Sequence, residues 1–156
     1  MQLTRFSDLA LRLLLYLASR DRPMEAVVTA RGAATRFNVP YTHMVKVVHQ
    51  LGLQGLITTS KGKGGGLRLS QPPERIRLGE VLRQTEPKTP IIDCFTQACP
   101  LRFDCLLKEA LDRAYGAFFA EMDRYTLAEM ARMPALQALV QLTLGPASED
   151  PGNPEN

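Results

Sequence analysis

The sequence predicts a mainly α fold with one small β-hairpin and a long helix in its C-terminal half. Three observations predict it. Apolar residues recur at helical spacing in successive segments before Gly55. A glycine-rich turn, Lys61-Gly62-Lys63-Gly64-Gly65-Gly66, then separates two short β-prone runs. After Cys105 an apolar seam returns in alternating four- and three-residue steps.

The first helix is expected from Ser7 to Arg20, with Ser7 as N-cap and Asp8 in the first turn, where a carboxylate complements the helix dipole. Phe6, Leu9, Ala10, Leu13, Leu14 and Leu17 form its apolar face, and Asp21-Arg22-Pro23 ends it. Val27-Val28 can pair as a short strand. Thr29 caps a second helix, Ala30 to Phe37, which Asn38 and Pro40 stop. Pro40 opens a third helix, Tyr41 to about Gln54, because its missing N–H would be unpaired in a first turn anyway. Met44, Val47, Val48 and Leu51 turn inward by the i, i+3, i+4, i+7 rule. Thr42, His43, Lys46 and Gln50 share the opposite, polar side. Leu56–Ser60 and Leu67–Ser70 are the two strands, with Arg68 facing away from Leu67 and Leu69. Gln71-Pro72-Pro73 breaks the chain, and residues 79–86 form another short helix that supplies Val81 and Leu82 to the core.

Pro87, Pro90 and Pro100 make residues 87–104 an irregular loop. One helix is expected from Cys105 to about Met133. Leu107, Leu111, Ala114, Phe118, Met122 and Tyr125 line its seam, which suits packing against a partner helix. Residues 134–156 are a C-terminal segment whose tail, from Gly145, is rich in Pro, Gly and acidic residues and is expected to be disordered.

Three helices followed by a hairpin make a winged helix-turn-helix, so residues 1–86 are read as a DNA-binding domain and residues 105–133 as a dimerisation helix. Tyr41, Thr42, His43 and Lys46 are the candidates for base edges in the major groove. Lys61, Lys63 and Arg68 are candidates for the backbone or minor groove at the wing. The charge distribution agrees with a polyanionic partner. Residues 1–90 hold 14 Lys and Arg against 6 Asp and Glu, whereas residues 91–156 hold 5 against 10. A solvated surface with local imbalance would give the same totals.

The 156 residues, 45% hydrophobic, support one small core. An aromatic share of 6% without Trp argues against a stacking platform for single strands. No apolar run reaches the length of a membrane span, and residues 1–8 lack the features of a signal peptide, so a cytoplasmic protein is expected. No Ser/His/Asp or paired-carboxylate constellation stands out, and the glycine turn lacks the Walker pattern, so no enzyme is expected.

Cys94, Cys99 and Cys105 are the chain's only cysteines, spaced C-x₄-C-x₅-C. An odd thiol count in a reducing compartment favours metal or redox chemistry over disulfides. Three thiolates suit a soft metal, and these wide spacings wrap more readily around an iron–sulfur cluster than around one zinc ion, which commonly takes C-x₂-C pairs. Zinc, a redox switch and buried apolar cysteines remain open on spacing alone. Asp93 and Asp104 flank the cluster of thiols as ligands or surface charges. His43 and His49 lie far from it and suit surface or base contacts.

The opening MQLTRFSDLALRLLLYLA, the helix YTHMVKVVHQLGLQGLI, the wing SKGKGGGLRLS, the segment LGEVLRQTE and the three cysteines together resemble the winged-helix iron–sulfur repressors of the NsrR/IscR family, over about residues 1–133. The similarity is strongest to the nitric-oxide-sensing branch. It implies a homodimeric repressor on palindromic double-stranded DNA, released when nitric oxide attacks the cluster. It implies a [4Fe-4S] cluster on Cys94, Cys99 and Cys105, with an aspartate near the start of the other subunit's first helix as fourth ligand. Asp8 occupies that position, and Arg12, one turn later, is placed to steady it. The iron- or redox-sensing branch instead carries a histidine three residues after the third cysteine, where this chain has Lys108. That departure counts against a [2Fe-2S] site of that type while leaving a [2Fe-2S] cluster possible.

Overall fold

The computed structural model describes residues 2–19, 27–62, 64–89, 91–94, 99–101, 104–134 and 136. The expected helix stop at Asp21–Pro23, the wing residue Lys63 and the C-terminal tail from Gly145 lie outside them.

Helix α1 spans Arg5–Ser19, α2 Ala30–Arg36 and α3 Tyr41–Leu53. Strands β1 (Ile57–Thr59) and β2 (Leu67–Leu69) form an antiparallel hairpin in which Ile57 faces Leu69, Thr58 faces Arg68 and Thr59 faces Leu67. A 3-10 turn at Pro73–Arg75 leads into α4 (Leu78–Thr85); α5 (Leu106–Met122) and α6 (Leu127–Ala131) follow. The Val27-Val28 strand reduces to one bridge. Val28 pairs with Leu67, and the Leu67 amide donates to the Val28 carbonyl at 2.8 Å. Gly66 permits this approach, because a Cβ there would lie 2.6 Å from the Val28 carbonyl oxygen.

The core follows the predicted periodicities. Leu9, Ala10, Leu13, Leu14 and Leu17 of α1 are buried with Ala33 and Ala34 of α2 and Met44, Val47 and Leu51 of α3. Val48 packs only partly against them. Leu56, Ile57 and Leu67 seat the wing on this core, and Ile76, Leu78, Val81 and Leu127 close it. Tyr16, which lies off the predicted α1 face, is also buried; its ring meets Phe37 edge-on at 5.8 Å. An amphipathic aromatic can be drawn inward by such a neighbour, which periodicity does not reveal.

Two predicted features are corrected. Ser7 does not cap α1. The helix begins two residues earlier, Ser7 is fully buried, and the Thr4 hydroxyl accepts from the Ser7 amide at 3.1 Å. The second correction concerns the long C-terminal helix, which is two helices. α5 ends at Met122, and Thr126 starts α6 with a capping box: its hydroxyl accepts from the Glu129 amide at 3.2 Å while the Glu129 carboxylate accepts from the Thr126 amide at 2.6 Å. The intervening turn is held from outside the helix. The Leu78 amide donates to the Tyr125 carbonyl at 3.1 Å and the Leu127 amide to the Ile76 carbonyl at 2.9 Å. α6 thereby packs against α1, and its Leu127 joins the core.

α5 is only partly covered. Phe119 is its only buried residue; in the predicted seam Leu107 is 62% exposed, Leu111 and Phe118 are half-buried, and Met122 packs against the core. Phe119 faces α4, where Arg83 lies over its ring and donates two hydrogen bonds to Asp123.

Candidate functional site

The third helix presents Tyr41, Thr42, His43 and Lys46 to solvent on one side, because Met44, Val47 and Leu51 are consumed by the core on the other. Tyr41 is 45% exposed at the first turn. Arg31, from α2, holds its guanidinium 4.6 Å from the centre of that ring. Arg31 was absent from the predicted set. Its signal is present in the sequence only as a basic residue in the turn after a helix cap, and the α2–α3 turn is what brings it over Tyr41. Lys61 and Arg68 are exposed on the hairpin, Arg68 pointing away from the buried Leu67 as alternation requires.

Asp8 and Arg12 stand one turn apart on the exposed side of α1. The Arg12 Nε donates to Asp8 Oδ1 at 2.9 Å, and both side chains are more than half exposed. They line a cleft of about 580 Å³ together with Arg5 of α1, Asn38 of the α2–α3 turn, and His43 and Lys46 of α3. Asp8, His43 and Lys46 thus share one concave surface, although some thirty-five positions of the chain separate Asp8 from His43.

The cysteines gather at the foot of α5. Cys105 is the N-cap residue, its Sγ accepting from the Lys108 amide at 3.4 Å. Cys94 is buried, Cys99 and Cys105 are half-buried, and none is in a disulfide. Burial pushes the Cys94 thiol up, and the nearby Cys99 and Cys105 add to the rise. Cys94 therefore lies near enough to Cys99 and Cys105 to feel their charge. Among the described residues, no three side chains converge tightly enough to hold a single bare ion. A cluster, which has its own width, demands less convergence. The donor set, three thiols grouped about one helix start, fits a soft iron–sulfur group.

Lys108 is committed elsewhere. It forms an ion pair with Asp112, and this hydrogen bond raises its pKa despite opposing desolvation. A lysine held protonated has no lone pair for iron.

The stem of the cysteine segment is anchored at Glu86. The residue before Pro87 is driven to an extended conformation, which ends α4 there. The Glu86 Oε1 accepts from the Thr4 amide at 2.9 Å and from the Thr4 hydroxyl at 3.0 Å. Burial would raise this carboxyl, but hydrogen bonds from Ser7 and Thr4 outweigh it and hold it below the usual carboxylate range.

Among the described residues, no helix is long and apolar enough to cross a membrane. Residues 3–133 match the family model Rrf2, described as an iron-dependent transcriptional regulator. The chain is 41% identical over 146 residues to the HTH-type transcriptional regulator NsrR of Halalkalibacterium halodurans, covering 91% of this chain and 99% of that protein. It is 40% identical over 145 residues to the regulator of the same name from Shouchella clausii, covering 90% and 96%. Solved structures share the fold. Staphylococcus aureus CymR superposes with a TM-score of 0.65 at 23% identity, over 83% of this chain and 98% of that one. T. potens IscR superposes with a TM-score of 0.63 at 19% identity, over 85% and 92%. The two NsrR relatives are regulators of transcription and not enzymes, and the chain belongs to the Rrf2 family of transcriptional regulators.

Proposed function

We propose that this protein is a homodimeric repressor that binds a palindromic operator while it holds a [4Fe-4S] cluster, and that nitric oxide is the signal for release. The single observation that carries this reading is the grouping of Cys94, Cys99 and Cys105 near the start of α5, a helix whose first residues, Leu106 and Leu107, stand exposed. Three thiolates hold the cluster from one chain, and Asp8 of the partner subunit completes it. The relatives named NsrR favour the nitric-oxide reading, and the pairing of Lys108 with Asp112 favours an oxygen ligand over one supplied from that position.

Each part of the chain then has a definable role. The seam Leu107, Leu111 and Phe118 packs against a second copy, removing apolar surface from water and setting two recognition helices in a two-fold arrangement. Tyr41, Thr42, His43 and Lys46 meet base edges, while Lys61, Lys63 and Arg68 meet the backbone or minor groove. Arg12 orients the Asp8 carboxylate through the hydrogen bond already formed in the single chain. When bound, the cluster would supply iron open to attack by nitric oxide, with the three thiolates and the partner's Asp8 as the residues that would hold it. Because Asp8 lines the cleft shared with His43 and Lys46, freeing its carboxylate changes the charge that faces those two residues of the recognition helix. A 100-fold loss of affinity requires only about 2.8 kcal/mol.

Oxygen-free purification followed by iron, sulfide and absorption measurements tests the cofactor. Gel shifts on an operator selected from random DNA test its control. Cys94→Ala, Cys99→Ala and Cys105→Ala are each expected to lose the cluster and weaken operator binding. Equal operator affinity for cluster-loaded and cluster-free protein rejects the proposal.

A further inference from the structure

We propose that Glu86 is a positioning residue that couples the two cluster sites of the dimer, by tying the stem of one subunit's cysteine loop to the turn of the same subunit that carries Asp8. The inference rests on the cluster reading above and extends it from one site to the communication between two.

The observations lie in a single chain. Glu86 is the last residue before Pro87 opens the cysteine loop, and Cys94 follows eight positions later. Its Oε1 accepts from both the amide and the hydroxyl of Thr4. Thr4 in turn holds the first turn of α1. Its hydroxyl accepts from the Ser7 amide at 3.1 Å and lies 3.0 Å from the Ser7 hydroxyl, and its carbonyl accepts from the Asp8 amide at 3.0 Å. Ser7 is fully buried, so this turn is seated on the body beneath it and takes its position partly from the Thr4 anchor. The path from the cysteine loop to the Asp8 backbone therefore runs through hydrogen bonds that bridge 82 positions of sequence.

The consequence follows from the crossed ligation. The cysteines of one subunit bind its own cluster, and Asp8 of that subunit serves the other. A loop ordered around its own cluster fixes the Glu86 stem, which fixes Thr4, which holds Asp8 in place for the second site. Loss of the first cluster loosens the stem and weakens the Asp8 ligand of the second. The two sites then gain and lose clusters together, a coupling between distinct sites in the strict sense.

Native mass spectrometry of dimers during cluster removal by EDTA, without nitric oxide or DNA, reads the coupling. In the wild-type protein, half-loaded dimers are expected to be scarcer than random loading gives. Glu86→Ala is expected to restore the random proportion, and Glu86→Gln, which keeps an acceptor oxygen at the same place, to retain the wild-type scarcity. Random loading in the wild type, or unchanged scarcity in Glu86→Ala, overturns the coupling while leaving the cluster reading intact. A wild-type protein without iron or sulfide overturns both. Should Glu86→Ala bind no cluster at all, amide exchange in cluster-free protein decides. The amides of Ser7 and Asp8 should exchange about tenfold faster in Glu86→Ala, with those of α3 unchanged; unaltered exchange at Ser7 and Asp8 overturns the proposal.

Discussion

Gly79 of α4 and Phe119 of α5 meet backbone to backbone: a Cβ on Gly79 would lie 2.6 Å from the Phe119 carbonyl oxygen. This contact fixes how α5 leaves the winged-helix body. Asp123, which receives the Arg83 guanidinium, crowds the same spot. An alanine in a helix ordinarily gains about 0.8–1 kcal/mol over glycine. Here the obstacle is main chain and cannot rotate away, so overpacking, at about 1–3 kcal/mol, is the larger effect. Gly79→Ala is expected to lower the urea midpoint, and a raised midpoint would show that the two helices are not held this closely.

Thr126→Ala tests the break between α5 and α6. It removes the capping hydroxyl and is expected to cost about 1 kcal/mol, read as a lower melting temperature. A helix that ran on through Tyr125 would make the substitution neutral or stabilising.

The partly covered seam predicts the assembly. Leu107→Lys with Phe118→Lys is expected to give a folded monomer, with helical circular dichroism retained and light scattering reporting one chain. Neither position belongs to the buried core of the single chain, Leu107 being 62% exposed and Phe118 half-buried, so the fold should survive. A variant that stays dimeric would move the interface off α5.

Two basic residues should separate positioning from reading. Lys46→Ala is expected to weaken binding to a selected operator by about 1–3 kcal/mol, with little effect on unrelated DNA. Arg31→Ala removes a charge beside the Tyr41 ring and is expected to weaken operator and unrelated DNA alike, lowering the salt slope by about one. Titrations at several salt concentrations distinguish the two. An Arg31→Ala protein with unchanged salt slope would remove Arg31 from the phosphate contacts.

Acid should loosen the same anchor that carries the proposed coupling. The folded state holds the Glu86 carboxyl below its usual range, so the unfolded chain binds that proton more readily. Stability from this group is present at neutral pH and is lost as pH falls through the carboxylate range. Asp123 acts in the same direction through Arg83, but solvent screens that pair. Urea midpoints between neutral and acid pH should therefore fall less in Glu86→Gln than in the wild type. Parallel declines would show that the Thr4 hydrogen bonds do not govern this carboxyl.

Much of the fold was legible in the residues because it depends on local rules. The apolar spacing of Leu9, Leu13 and Leu17, the Thr29 cap, the Pro40 start and the glycine turn each act within a few positions of their own. The inward and outward faces of α3 follow from the same periodicity. The helix break at Tyr125 was missed although Thr126 and Glu129 spell a capping box. A seam of Leu111, Phe118, Met122 and Tyr125 continues smoothly across it, and only the backbone bonds to Ile76 and Leu78 decide against continuity.

The sequence by itself determined which residues are chemically able to hold a soft metal and which face of α3 can meet DNA, since thiols and periodicity are properties of the chain. Tertiary structure alone decided which distant residues meet. It set Arg31 over Tyr41, Asp8 in one cleft with His43 and Lys46, and Glu86 against Thr4. Contacts between distant positions depend on how whole elements pack, and no local pattern encodes that.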